Sequence, residues 1–167
     1  MAFVALLIVG FLVSEQGVHL VTRPVVELLP LREDLSTEWI IGTVTAESLN
    51  ITGFTEGAKL TLSKTTGLEG EGITIRIYKF TTSDPASEYY DSVLSDLKAE
   101  GGYREVSTGL GTGSYGTFIE SMMGERTVIY VVKANVFFEV RAVGYLYFAT
   151  QEDATQLARI VLDKIQK

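Results

Sequence analysis

The side chains best suited by type to do chemistry are carboxylates, and they come in sequence pairs: Glu33-Asp34, Glu69 with Glu71, and Glu152-Asp153. Two carboxylates can hydrolyse a glycosidic bond, but only from opposite sides of a cleft at a defined separation. Adjacency along the chain does not supply that, and solvation or helix capping accounts for each pair. The Glu69-Gly70-Glu71 loop offers oxygen ligands to Ca²⁺ without the ligand spacing of an EF-hand. Cysteine is absent and His19 is the only histidine. Disulfides, thiolate metal sites, a cysteine nucleophile and a lipobox-type lipid anchor are thereby excluded, and a His-based triad or zinc site has no support. The serines, Ser114 among them, have no base at a recognisable spacing. These readings leave no catalytic, cofactor-binding or metal-ligating residue, and the expectation is a protein that is not an enzyme and uses no cofactor.

Gly111-Thr112-Gly113-Ser114-Tyr115-Gly116 spells G-x-G-x-x-G. A dinucleotide site needs a helix N-terminus after those glycines to meet the pyrophosphate. Here a strand-like run follows, Thr117-Phe118-Ile119-Glu120-Ser121, so the segment reads as a loop from Thr108 to Gly116. Loops carry binding residues disproportionately. Thr108, Gly111, Gly113 and Tyr115, with the aromatics Tyr145, Tyr147 and Phe148, therefore form the candidate partner or ligand surface. Those aromatics have a plainer reading as packing for the last helix. Asn50-Ile51-Thr52 is an N-glycosylation triplet, and would mark an exposed loop in a domain outside a cell with that machinery.

The first thirteen residues, MAFVALLIVGFLV, carry no charge. A spanning helix takes about 20 apolar residues to cross about 30 Å of hydrocarbon, and thirteen reach only about 20 Å. A signal peptide has a basic start and a small-residue cleavage site, and neither is evident. Residues 1–13, with Phe3, Leu6, Leu7, Ile8, Phe11 and Leu12, are expected to be a membrane anchor or signal remnant, and would fit as the outer half of a longer anchor. A buried core element and a partner-binding segment are the alternatives. Residues 14–30 read as a linker, either a tether or an entry strand in which Val18–Thr22 pairs with a sheet edge, and residues 31–167 as one domain.

The domain is acidic: the chain has 14 Lys and Arg against 21 Asp and Glu, a formal charge of −7. Nucleic acid and anionic lipid headgroups are therefore not expected as main partners. Alternation marks strands at Trp39–Val44, Ala58–Ser63 and Ile73–Phe80. In the last, Ile73, Ile75 and Ile77 point one way and Thr74, Arg76 and Tyr78 the other. Asp84 as cap and Pro85 at the first turn open a helix. Its apolar stripe is Ala86, Tyr89, Tyr90, Val93, Leu94 and Leu97, and Gly101-Gly102 ends it. Strands follow near Tyr103–Ser107, Tyr115–Ser121, Thr127–Lys133 and Val136–Val143, with turns at Met122–Glu125 and Lys133–Asn135. A second helix, capped by Thr150 with Asp153, buries Ala154, Leu157, Ala158, Val161, Leu162 and Ile165. Short connections imply antiparallel pairing. The fold class expected is α+β: an antiparallel sheet of about five to seven strands, with two helices covering one face.

From Ile73 onward the chain runs through a strand ending in Tyr78-Lys79-Phe80, a helix with the Tyr89-Tyr90 pair, a Gly-rich loop, the hairpin VIYVVKANVFFEVRAVG and a final helix. This order resembles the Mog1/PsbP-like group of small α+β sandwich domains, over a little more than half the chain. The resemblance implies an accessory or binding role, often within a larger assembly, and carries no catalytic residues across. The expected function is a membrane-tethered, extracytoplasmic accessory domain. Its partner would be a protein, either a membrane complex or another copy of itself, and it would meet the membrane through its N-terminal segment. The alternatives are a structural surface or filament subunit whose first residues pack into a neighbour, an exported small-ligand-binding domain, and a hydrolase built on Asp and Glu.

Overall fold

The computed structural model describes residues 19–64, 72–121, 124–144 and 151–167. The expectations placed on residues 1–13, on Glu69 and Glu71, on Met122 and Met123, on Tyr145, Tyr147 and Phe148, and on the Thr150 cap lie outside these residues. Among those described, the strands are β1 (Trp39–Glu47), β2 (Phe54–Lys64), β3 (Gly72–Phe80), β4 (Arg104–Val106), β5 (Ser114–Ser121), β6 (Gly124–Lys133) and β7 (Val136–Gly144). They form one antiparallel sheet in the order β1-β2-β3-β7-β6-β5-β4. Two meanders, β1 to β3 and β4 to β7, are thus joined by the pairing of β3 with β7, and helix α1 (Ser83–Glu100) carries the chain between them. From β3 to β4 is four strand spacings, about 19 Å. Eighteen helical residues reach about 27 Å, so α1 makes the crossing on a diagonal.

The helices do not share a face as expected. Helix α2 (Gln151–Ile165) packs on β6 and β7 with Ile129, Val131, Phe138 and Val140 beneath it. Helix α1 packs on the other side, over Tyr78, Phe80, Val128, Tyr130 and Phe137. The pleat explains the division, because neighbouring residues of one strand point to opposite faces. Ile73, Ile75 and Ile77 belong to the α2 core, while Tyr78 and Phe80, beyond them on the same strand, belong to the α1 core.

A second departure concerns the presumed linker. Val21, Val25, Leu28 and Leu29 are buried in the α2-side core, so the domain begins by Val21 rather than Leu31. The run carries no alternating pattern because it forms no strand. A single 3₁₀ turn, Val25–Leu28, lays its apolar side chains on β2, β3 and α2. Polar contacts pin it at both ends. The buried Asn135 amide accepts from the Val21 N–H at 2.7 Å and donates to the Val21 and Phe80 carbonyls at 3.3 and 2.8 Å. Farther on, the Asp34 carboxylate takes the Leu31 N–H at 2.7 Å and the Lys164 ammonium of α2 at 2.8 Å. Burial pushes the Asp34 carboxyl up, but Lys164 and the Leu31 N–H outweigh it and hold the group below its ordinary value.

Helix α1 starts slightly earlier than its signals suggest. Thr82 stands at the cap, and Pro85 is the third helical residue. A proline is tolerated there because the first four N–H groups of a helix have no intrahelical acceptor. Strands β1 and β2 run longer than their patterns, since the latter part of β1, past the buried Trp39, is mostly solvent-facing and carries no alternation signal. Asn50 is exposed in the β1–β2 connection.

Replacing Asn135 by alanine removes three buried hydrogen bonds and orphans their backbone partners. The full chain is expected to lose about 2–3 kcal/mol, read as a lower midpoint in urea denaturation, with the Val21–Leu29 segment becoming accessible to protease.

Candidate functional site

The two faces of the sheet are finished differently. On the α2 side, α2 covers β6 and β7, while the Val25–Leu28 turn covers β2 and β3. On the α1 side, α1 packs on β3, β7 and β6, and its C-terminal end reaches β5, where Lys98 lies over the Tyr115 ring. No described element lies over β1 and β2 on that side. These uncovered strands, with the ends of β7 and β6 beyond the Val128, Tyr130 and Phe137 packing of α1, are the candidate site.

Register shows which residues make its floor. Lys59 pairs with Arg76, and Arg76 with Glu139. One step along, Thr61 pairs with Thr74, and Thr74 with Arg141. A shallow depression of about 310 Å³ lies at the far end of these rows, lined by Gly42, Thr61, Gly72, Thr74 and Val143 among others. The near end is aromatic. Tyr78 stacks on Phe137 with centroids 6.1 Å apart, and Tyr89 of α1 meets Phe137 edge-on at 4.9 Å. Gly57 opposes Tyr78 across the strands, and a Cβ there would come within 2.8 Å of the Glu47 carbonyl and 3.0 Å of the Tyr78 ring. Only glycine leaves room for that ring.

The charges form a chain. Glu139 is buried, 8 % exposed, and its carboxylate accepts from Arg76 Nη1, with Arg141 Nη2 at 3.6 Å. Glu47 takes Arg76 Nε at 3.3 Å and the Tyr78 hydroxyl at 2.7 Å. Burial works against the Arg76 cation, but Glu139 and Glu47 outweigh it and hold the guanidinium more firmly protonated. The Tyr78 phenol is pushed well above its ordinary range, first by burial and then by its bond to Glu47. Burial, then the Glu139 charge, raises Tyr89 and Tyr130 as well. A removed ion-pair partner would leave the other charge half-desolvated, so the chain is costly to break.

The loop singled out in the sequence is organised differently. Thr108 is buried, its hydroxyl 2.7 Å from that of Ser114, and Ser114 also donates to the Gly111 carbonyl at 2.7 Å. The Gly113 carbonyl accepts from the Val132 N–H at 2.8 Å. Gly113 has φ +80°, and a Cβ there would meet the Val132 carbonyl at 2.7 Å. The glycines therefore serve a tight loop bonded to itself and to β6. Tyr115 points to the opposite face, bonded to Glu105 and Tyr103. Thr108, Gly111 and Tyr115 nonetheless border one shallow depression of about 370 Å³, with Glu105, Ser107 and Gly116. Burial and the Glu105 bond raise the Tyr115 phenol.

Sequence reasoning passed over Lys59, Arg126, Glu139 and Arg141. The signal that pointed to them was the polar set on β3, Thr74, Arg76 and Tyr78. Its alternation marked a wet face without naming the partners across the sheet. Among the described residues no cluster of His, Cys, Asp and Glu could hold a metal ion, and no helix is long and apolar enough to cross a membrane.

No protein family profile matches the chain, and no curated protein matches it. Among solved structures, it is similar to the extracellular domain of PknH from Mycobacterium tuberculosis. The TM-score is 0.67, with 16% identity over 90% of this chain and 100% of that one. At that identity the likeness is one of fold, and the fold is mixed α+β.

The raised Tyr78 phenol gives a pH prediction. Its proton is held more tightly folded than unfolded, so the associated stability is complete below about pH 10 and is lost as pH rises through the tyrosine range. Tyr78→Phe should be less stable at neutral pH by about 1 kcal/mol. Above about pH 10 its stability should decline less steeply, by up to about 1.4 kcal/mol per pH unit. Urea titrations of both proteins across that range measure the difference.

Proposed function

We propose that this chain is an extracytoplasmic binding domain, tethered through its N-terminal side, that takes a ligand group on the open half of its α1-side sheet face and catalyses no reaction. The half-covered floor carries the reading. A charged, hydrogen-bonding sheet face that no described helix covers is a surface built at a cost and left accessible. Its ion-paired Arg76 and Glu139 sit among rigid strands, which hold binding groups in place better than a loop would.

The position of the chain ends supports the reading. His19, Gly113, Lys133, Ala134, Ile165 and Gln166 line one cavity of about 590 Å³. Both ends of the described chain therefore lie by the β6–β7 turn. The depression at Gly72 and Val143 is at the other end of β3 and β7. Nine residues separate the two ends, about 30 Å of strand. A tether at His19 holds the open floor away from the membrane. The uncharged first thirteen residues, and a fold like that of an extracellular domain, favour the same placement. The Thr108–Gly116 loop has its polar groups committed internally, which favours the floor over it as the binding surface.

The absence of cysteine makes a clean test. Thr61→Cys places one thiol on the exposed floor. In intact cells of its native host, a membrane-impermeant maleimide is expected to label it, and the chain should fractionate with membranes. Labelling that appears only after lysis would overturn the placement.

A further inference from the structure

Resting on that reading, we propose that the open floor is a binding site for a phosphate-type oxyanion, with Arg141 as its principal ligand and Lys59 and Arg126 as supporting cations.

The register sets four cations diagonally across adjacent strands. Arg126 on β6 pairs with Val143 and Arg141 on β7 pairs with Thr74, so Arg141 is the diagonal neighbour of Arg126 on one side and of Arg76 on the other. Lys59 on β2 stands directly across from Arg76. Diagonal neighbours on one face are about 7–8 Å apart, within reach of long side chains. The whole chain carries −7, so a basic composition does not explain this stripe.

The carboxylates on the floor do not satisfy it. Glu47 and Glu139 both bond to Arg76. Arg141 keeps one loose contact, Nη2 to Glu139 at 3.6 Å, and its buried Nε has no hydrogen-bond partner. Among the described residues, Lys59 and Arg126 make no ion pair. A buried donor without an acceptor is destabilising, and more so when charged. The rest of the Arg141 side chain is more than a third exposed, so an oxyanion would meet the weakly held Nη groups, whose planar fork matches its oxygens. Thr74 stands directly opposite Arg141, and Thr61 opposite Thr74, which brings two hydroxyl donors to the same row. The depression lined by Thr61, Gly72, Thr74 and Val143 adjoins this row, with Thr74 directly across from Arg141. Four cations face Glu47 and Glu139, with the Glu100 carboxylate of α1 also near Tyr130, which leaves a cationic excess for an anion; two hydroxyls beside a guanidinium fork suit the several oxygens of a phosphate.

The test follows the arginine Nε–H signals of the full chain in detergent micelles during titration with inorganic phosphate at constant ionic strength, with chloride as control. The Arg141 signal is expected to shift saturably with phosphate and not with chloride. Arg141→Gln should weaken binding by about tenfold or more. The exposed Arg126→Gln, which removes no buried group, should weaken it by about threefold to tenfold and keeps the test open if Arg141→Gln fails to fold. Lys133→Gln, at the opposite end of the sheet, should leave binding unchanged. A parallel titration compares dihexanoyl phosphatidic acid with dihexanoyl phosphatidylcholine. A tighter response to phosphatidic acid than to inorganic phosphate assigns the anion to a lipid headgroup; an equal or weaker one assigns it to a soluble ligand. No saturable shift with either phosphate source, or a shift unaltered in Arg126→Gln and in any folded Arg141→Gln, overturns the site. Thiol labelling at residue 61 in cells does not depend on Arg141, so a failure of the anion site and a failure of the extracytoplasmic placement read out separately.

Discussion

The pairing of β3 with β7 is the contact on which the rest of the structure depends. It joins strands more than fifty residues apart in the chain and turns two meanders into one sheet. Such a pairing carries a loop-closure cost that local hairpins avoid, and the face it buries repays it: Ile73, Ile75 and Ile77 against Phe138, Val140 and Ala142. Once β7 sits beside β3, β4 must lie at the far edge, and the chain can reach it only by crossing a face of the sheet. That crossing is α1. Because α1 runs from β3 toward β4, it leaves β1 and β2 uncovered on its own side.

The same pairing concentrates the electrostatics. Arg76 and Glu139 face each other across β3 and β7, on the face that α1 only half covers. Glu139 is buried enough to need a cation, and Arg76 is shared between it and Glu47. The aromatic stack of Tyr78, Phe137 and Tyr89 closes one end of this row, and Tyr78 joins it through its hydroxyl. Apolar packing and ion pairing thus meet along one line at the edge of α1. Rigid packing on one side of that line positions polar groups on the other, as a binding surface requires.

Much of the architecture was legible from local pattern. The helix stripes at Ala86–Leu97 and Ala154–Ile165, the alternation of β3 and the β6–β7 turn at Lys133–Asn135 all correspond to elements of the fold. Each rests on a period that side-chain burial imposes directly on sequence. The Val21–Leu29 segment was misread as a linker because an irregular strap has no period, although its buried valines and leucines hold it as firmly as a strand. The glycines of the Gly111–Gly116 loop did not reveal that Thr108, Ser114 and Gly113 bond within the loop and to β6, because a turn's glycines look alike with or without such bonds.

Local pattern and composition were enough to establish an acidic α+β domain, a β3 with one wet and one dry face, and a chain without thiols. They could not determine which strands lie beside β3, since each strand's pattern reports its own burial and not its neighbour's identity. The assembly of Lys59, Arg76, Glu139, Arg141 and Arg126 into one charged floor was therefore decided only by tertiary structure. So was the placing of the two helices on opposite faces. A pleated strand offers both faces equally, and which helix takes which follows from the direction in which the chain must cross the sheet.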